Sequence, residues 1–195
     1  KLAAESAGKP IYLELSSVNP VIVLPGALRE RGEELVQELT TSALMGTGQF
    51  CTNPGLVMVV QGKETQAFVD GLTQAYNQAP IGVLLSGGVQ TGLTESIQLL
   101  QHAGCQLLTG GPLKDPQDSF CCGNTLLQVS ASTFLEHPNV LQTEAFGNCT
   151  LLVVAESVDE LMSLIPTLEG NLTGCIYSAR AGHDDADYDR LASRL

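Results

Sequence analysis

The chain has 195 residues, a net charge of −12 at neutral pH, and 44% hydrophobic against 15% charged residues. This composition is typical of one globular domain with a large core, and it excludes a disordered chain. The acidic excess argues against nucleic acid or an anionic membrane as a partner, because both bind through clustered Lys and Arg, and no apolar run is long enough to span a bilayer.

The cysteines are spread along the chain and contain no Cys-x-x-Cys pair, which disfavours both a zinc site and a disulfide framework. They are Cys51, Cys105, Cys121, Cys122, Cys149 and Cys175. Most of them are expected to be small buried thiols. We therefore expect a reduced, cytoplasmic protein without a metal.

From residue 20 onward, short apolar runs alternate with amphipathic stretches. The runs predict strands at 20–25, 56–60, 126–129, 151–154 and 175–177. The stretches predict helices at 27–45, 64–78, 91–104, 157–168 and 184–195, and residues 112–123 form the longest predicted loop. Continuously apolar strands separated by helices predict an α/β fold, a three-layer sandwich with a mainly parallel sheet covered on both faces. We expect strands 21–24, 57–60 and 151–154 in that one sheet.

Residues 81–92 imitate the strand, glycine loop and helix of a nucleotide-binding unit. Their glycines, in SGGVQTG at 86–92, lack the Gly-x-Gly-x-x-Gly spacing. No acidic residue follows about 20 residues later at a strand end, as the dinucleotide fingerprint requires. We interpret this segment as a loop or turn.

Three short motifs carry chemistry-bearing residues. Residues 14–20 read ELSSVNP, residues 49–54 read QFCTNP, and residues 142–147 read QTEAFG. The second places Cys51 between a helix-patterned stretch and an apolar strand, where a thiol is held rigidly yet remains reachable. In this order the motifs resemble the general-base, nucleophile and cofactor-contact motifs of the aldehyde dehydrogenase superfamily.

The resemblance implies a role for each matching residue. Cys51 would be the nucleophile that adds to an aldehyde, giving a thiohemiacetal and, after hydride leaves to NAD or NADP, a thioester. Glu14 would be the general base for thioester hydrolysis, and the backbone N–H of Cys51 would form part of an oxyanion hole. Glu144 would bind the nicotinamide ribose, and Phe146 would pack by the nicotinamide ring.

The resemblance covers only the second half of the family's chain, because its dinucleotide-binding domain has no counterpart here. Residues 1–195 are thus expected to be the catalytic domain, taken from an enzyme that is usually a homo-oligomer. ELSSVNP, with LPGAL at 24–28, resembles the branch that acts on 2-oxoglutarate semialdehyde (2,5-dioxopentanoate) and tends toward NADP. The chain departs from the common pattern at residues 16–18, where many members have Gly-Gly-Lys, and at Asn148, where proline is usual.

Two other functions stay open from the sequence. A domain without its cofactor half could be a non-catalytic module that only packs against partners. A cysteine hydrolase would use the same thioester chemistry, but His102, His137 and His183 all lie outside the three motifs, which weakens this alternative.

Overall fold

The structure, a computed structural model, describes residues 2–11, 15–113 and 119–195. Its strands are β1 Pro20–Val23, β2 Leu56–Val60, β3 Gln106–Gly111, β4 Gly123–Ser130, β5 Cys149–Ala155 and β6 Cys175–Tyr177. They form one sheet in the order β3-β4-β5-β2-β1-β6. Every neighbouring pair is parallel except β3 with β4, which is antiparallel.

Helices cover both faces of this sheet. They are α1 Leu2–Ser6, α2 Pro25–Leu44, α3 Thr65–Gln78, α4 Gly87–His102, α5 Ala131–Glu136, α6 Pro138–Leu141, α7 Val158–Leu164 and α8 Asp185–Ala192. Successive strand side chains alternate between the faces: Ile22 and Met58 pack with residues of α4, α5, α7 and α8, and Val23 and Val59 pack with α2 and α3. Both faces are therefore buried, which explains the continuous apolar runs and confirms the predicted three-layer α/β sandwich.

The three predicted central strands lie side by side as expected, since β1 pairs with β2 and β2 pairs with β5. Residues 81–85 form neither strand nor helix, as the loop interpretation expected, but residues 87–92 form the first turns of a helix, so that part of the interpretation was wrong. Helix α4 begins at Gly87 rather than at Thr91, because the Ser86 hydroxyl caps it by accepting the Val89 N–H at 3.3 Å.

Other details differ from the sequence prediction. Strand β3 was not predicted, because its half-exposed, glycine-ending sequence gives no apolar run. Helix α2 is interrupted at Arg31, where φ is −151°. Within the predicted loop 112–123, residues 114–118 lie outside the described residues, and the others form no helix or strand before β4. None of the described helices is both long and apolar enough to cross a membrane.

The parallel strands all begin at the same edge of the sheet. Pro20 pairs with Leu56, Leu56 with Leu151 and Val21 with Cys175. The segments that lead into β1, β2, β5 and β6 therefore meet at this amino edge. Each of the three motifs directly precedes one of these strands, so the topology gathers them at one place.

A buried aspartate holds the start of α2 at the opposite edge. Pro25 opens the helix, and no side chain of Leu24, at the N-cap position, can cap it. Instead the Asp184 carboxylate, only 6% exposed, accepts the N–H groups of Gly26 and Ala27 at 2.8 and 2.9 Å. It also accepts the Ala179 N–H at 2.8 Å. Asp184 thus joins the helix that leads to Cys51 to the chain segment after β6.

We predict that Asp184→Ala lowers the free energy of unfolding by about 2–4 kcal/mol, because three buried N–H groups lose a charged acceptor. Urea denaturation followed by circular dichroism measures this change. The control is Asp189→Ala, which alters net charge equally at an exposed position of α8 and should change stability by no more than about 0.5 kcal/mol. Equal stability of the two variants would contradict the capping role.

Candidate active site

Cys51 lies on an exposed turn between α2 and β2. A short 3₁₀ segment, Met45–Gly48, ends the helix, and its residues Gly46, Thr47 and Gly48 have positive φ values of 56, 61 and 67°. Three left-handed residues in succession reverse the chain sharply, at a cost in strain for the branched Thr47. The Asn53 N–H then donates to the Phe50 carbonyl at 3.0 Å, which closes a tight turn around Cys51.

The turn is held by a backbone contact with the segment that carries the third motif. A Cβ atom on Gly48 would lie 2.1 Å from the Gly147 carbonyl oxygen, and Gly147 itself has φ 142°. A side chain at Gly48 would block this approach, and one at Gly147 would meet Leu93 instead. The structure therefore brings the Cys51 turn and residues 142–147 together.

Gln49 ties the same turn to the loop before α4. Its side-chain oxygen accepts the Leu85 N–H at 2.7 Å, and its amide group donates to the carbonyls of Val83 and Gly46 at 3.2 and 3.0 Å. All these bonds are exposed, so each contributes modestly to stability. Together they fix the direction in which the chain enters the Cys51 turn.

Glu144 and Phe146 lie on the half-buried segment between α6 and β5. Both line a small cavity together with Phe50 and Asn53 of the Cys51 turn. Its volume is about 20 Å³, enough for one water molecule. The buried side-chain oxygen of Asn53 has no hydrogen-bond partner in the part of the chain that the structure describes. This cavity thus offers a water-sized space beside the cysteine turn.

The candidate base Glu14 lies outside the described residues. Two other residues of its motif, Ser17 and Val18, line the same cavity as Glu144 and Phe146. All three motifs consequently contribute residues to one cavity wall, although the distance from Glu14 to Cys51 stays a prediction.

Two asparagines that the sequence analysis did not single out join the entries to β1, β2 and β6. The side-chain oxygen of Asn171 accepts the N–H groups of Val18 and Asn19 at 2.8 and 3.0 Å. The side chain of Asn19 in turn reaches the carbonyls of Cys51 and Asn53. The signal for Asn19 was its place inside the first motif, whereas Asn171 had none in its local sequence.

Asn148, which stands where the family usually has proline, is fully buried. Its amide group donates to the Cys122 carbonyl at 2.9 Å and to the Asn124 side-chain oxygen at 2.8 Å. Proline has no side-chain donor for these bonds. The substitution therefore adds a polar link between the entries to β4 and β5.

The environments of the thiols differ. Burial raises the pKa of Cys105 to about 11 and raises the pKa of Cys149 well beyond its usual range. Burial also raises the pKa values of Cys122 and Cys175. Since the thiolate is the reactive form, these four are poorer nucleophiles near neutral pH. Among the described residues, no group of His, Cys, Asp and Glu side chains could hold a metal ion.

We predict that iodoacetamide at about pH 8 labels Cys51 faster than the other five cysteines. Cys51 is exposed, whereas Cys105, Cys122 and Cys149 are buried, Cys121 is partly buried, and the pKa of the exposed Cys175 is raised. Mass spectrometry of peptides from a time course gives each rate. In urea the six rates should converge, which is the control for reagent access. Labelling of Cys105 or Cys149 ahead of Cys51 in the folded protein would contradict the structure.

We also predict that Gly48→Ala lowers the free energy of unfolding by about 2–4 kcal/mol, through the clash with Gly147 and the left-handed backbone. The matched control is Gly92→Ala within α4, where no atom lies within 4 Å of the added methyl group. That variant should gain up to about 1 kcal/mol from helix propensity. Urea denaturation compares the two, and a Gly48→Ala protein as stable as the original would rule out the close contact.

Comparison with known proteins agrees with this architecture. The model of the aldehyde dehydrogenase family matches residues 1–186. Alpha-ketoglutaric semialdehyde dehydrogenase 2 of Azospirillum brasilense is 34% identical over 187 residues, which cover 95% of this chain and 34% of that protein. Alpha-ketoglutaric semialdehyde dehydrogenase of Acinetobacter baylyi is 33% identical over 168 residues, or 86% of this chain and 32% of that protein. The chain spans about a third of the length of these relatives.

Solved structures share the fold at lower identity. Betaine aldehyde dehydrogenase from Staphylococcus aureus, crystallised with NAD⁺, superposes with a TM-score of 0.80 at 19% identity, over 98% of this chain and 38% of that one. An aldehyde dehydrogenase from Bartonella henselae gives 0.80 at 20% identity, over 98% of this chain and 40% of that one. From the three gathered motifs and the match along nearly its whole length, this chain belongs to the aldehyde dehydrogenase family.

Proposed function

We propose that this chain carries the nucleophile and the general base of an NAD(P)-dependent aldehyde dehydrogenase, with Cys51 as the residue that becomes acylated. The observation that supports this most strongly is the contact of Gly48 with Gly147. It sets the turn that carries the exposed Cys51 beside the segment that carries Glu144 and Phe146. An isolated reactive cysteine would need no such neighbour.

Cys51 opens the reaction. Its thiolate sulfur adds to the aldehyde carbon, a C–S bond forms, and the carbonyl electron pair moves to oxygen. Within the described part of the chain the Cys51 N–H makes no hydrogen bond, so it is available to donate to that oxygen. Preorganised donors of this kind are commonly the largest contribution to acyl-transfer catalysis.

Glu144 and Phe146 fit a nicotinamide cofactor as contact residues. Their carboxylate and aromatic ring stand two positions apart on one half-buried segment that borders the Cys51 turn. When bound, the cofactor supplies the hydride acceptor that converts the adduct on Cys51 to a thioester. Glu144 would hold the ribose hydroxyls and Phe146 would pack by the ring. Residues 81–92 lack a strand and a dinucleotide glycine loop, so we propose that a further domain holds the adenosine and pyrophosphate.

Glu14 completes the cycle as general base. It would take a proton from the water that attacks the thioester, and Cys51 leaves as thiolate. The water-sized cavity lined by Ser17, Val18 and Asn53 supports this role, because it lies beside the Cys51 turn at the end of the same motif. We expect rotamers of Glu14 that bring its carboxylate to within roughly 5–8 Å of the Cys51 sulfur, the reach of one shared water.

We further propose 2-oxoglutarate semialdehyde as the aldehyde and NADP as the preferred cofactor. The support is the ELSSVNP motif and the two relatives that carry that semialdehyde in their names. From the same relationship to these relatives, we propose that the whole enzyme is a cytoplasmic homo-oligomer. The alternative function, a domain that only packs against partners, gives no reason for a glycine pair to fix an exposed thiol.

We predict negligible NADPH production by residues 1–195 alone and clear production by a longer protein that joins them to a dinucleotide-binding domain. Cys51→Ala should abolish the activity of the longer protein, because loss of a nucleophile costs about 10⁴-fold or more. Absorbance of NADPH with 2-oxoglutarate semialdehyde as substrate measures each rate. Cys175→Ala, which removes another exposed thiol, is the control and should stay active.

The outcomes separate the parts of this proposal. Steady NADPH production by the 195-residue chain alone would contradict the need for a second domain. Activity that survives Cys51→Ala would contradict the nucleophile. In the longer protein, hydrolysis of the substrate's ester analogues without any nicotinamide reduction would favour a cysteine hydrolase.

A further inference from the structure

Asn19 has an uncommon backbone conformation, and both the amide group and the oxygen of its side chain form hydrogen bonds. Its φ is 47°, in the left-handed region, and it is only 2% exposed. Its amide group donates to the carbonyl of Cys51 at 3.0 Å and to that of Asn53 at 2.8 Å. Its side-chain oxygen accepts from the Ser17 hydroxyl at 2.8 Å, and from the N–H and hydroxyl of Thr173 at 3.2 Å each.

These partners determine the orientation of the amide group. A flipped Asn19 would set its oxygen against two carbonyls and its N–H groups against the Thr173 N–H. The left-handed backbone aims the side chain across the amino edge, from the entry of β1 to the entry of β2. Such a conformation in a non-glycine residue persists where surrounding contacts enforce it.

Hydrogen bonds therefore fix both ends of the Cys51 turn. At its start, the Asn53 N–H holds the Phe50 carbonyl. The Phe50 carbonyl and the Cys51 N–H belong to one planar peptide and point in opposite directions. At its end, Asn19 holds the carbonyls of Cys51 and Asn53. The Cys51 N–H is thereby directed away from the interior of the turn.

We propose that Asn19 is a positioning residue that fixes the Cys51 N–H in the direction needed to stabilise an oxyanion on a carbonyl bound to the Cys51 sulfur. This inference rests on the proposed nucleophilic role of Cys51. Asn19 touches neither substrate nor sulfur in this role, and it acts only through the backbone of the turn.

Two reagents that attack the same sulfur test the proposal. With p-nitrophenyl acetate, the sulfur bonds to the acetyl carbon through an oxyanion, the ester C–O electron pair leaves with p-nitrophenolate, and a thioester remains. With iodoacetamide, the sulfur displaces iodide from a saturated carbon, and no oxyanion forms. Exposure and ionisation of the thiol affect both rates, whereas the oxyanion donor affects only the first. The ratio of the acylation rate to the alkylation rate therefore measures the effect of the oxyanion donor. Both rates are followed on the 195-residue chain by mass spectrometry of the Cys51 peptide.

Asn19→Gly keeps the left-handed backbone accessible and removes both amide donors. We expect the acylation rate of Cys51 to fall about tenfold or more relative to its alkylation rate, because a small displacement of a hydrogen-bond donor strongly weakens its stabilisation of the oxyanion. Asn19→Asp is a second variant that keeps the acceptor oxygen and loses the donors, and it should lower the same ratio. The matched control is Asn124→Ala, since Asn124 is a buried asparagine whose amide donates to the carbonyls of Tyr76, Ala79 and Pro80.

An unchanged ratio in both folded Asn19 variants, or an equal fall in Asn124→Ala, would overturn the positioning role. A lower ratio in the Asn19 variants alone would support it. Failure of the proposed function looks different: p-nitrophenolate release by the original chain would then be the same as in Cys51→Ala.

Discussion

The backbone of Gly48 lies directly against the backbone of Gly147, and the geometry proposed for Cys51 depends on this contact. Strands β2 and β5 are parallel neighbours, so the segments that precede them must cross the amino edge side by side. Any side chain at Gly48 would force these segments apart. The left-handed residues 46–48 set the approach, and their strain is offset by the packing that follows.

The two edges of the sheet have different roles: one stabilises the fold and the other carries the candidate site. At the carboxyl edge, Asp184 caps the helix that follows β1, which is a contribution to stability. At the amino edge, the entries to four parallel strands bring together the cysteine turn, the first motif and residues 142–147. Open α/β sheets usually bind ligands at their carboxyl edge. This candidate site lies at the amino edge instead, so its position is determined by the turns that precede the strands and not by that general rule.

Local patterns in the sequence were enough for the central strands, because continuous apolar runs such as 56–60 have few alternative structures. The sequence placed the three motifs in the order of the aldehyde dehydrogenase family, and the structure shows that each directly precedes a parallel strand. Strand β3, which is half exposed, gave no apolar run, and the glycine-rich start of α4 gave a misleading loop signal. The link between Asn19 and Asn171 was beyond such reasoning, because the two lie 152 positions apart and meet only through the strand order. No local sequence pattern indicates a hydrogen bond between residues so far apart in the chain.

The central claim is that Cys51 carries the acyl group during aldehyde oxidation, and trapping that thioester tests it most directly. A protein containing residues 1–195 and a dinucleotide-binding domain is mixed with NADP⁺ and 2-oxoglutarate semialdehyde, quenched in acid during turnover, and digested for mass spectrometry. The account predicts a hydroxylamine-sensitive acyl adduct on the Cys51 peptide that accumulates further in a Glu14→Gln variant, because deacylation then lacks its base. Turnover with the adduct on another cysteine, or with no adduct on Cys51 in the Glu14→Gln variant, would contradict it.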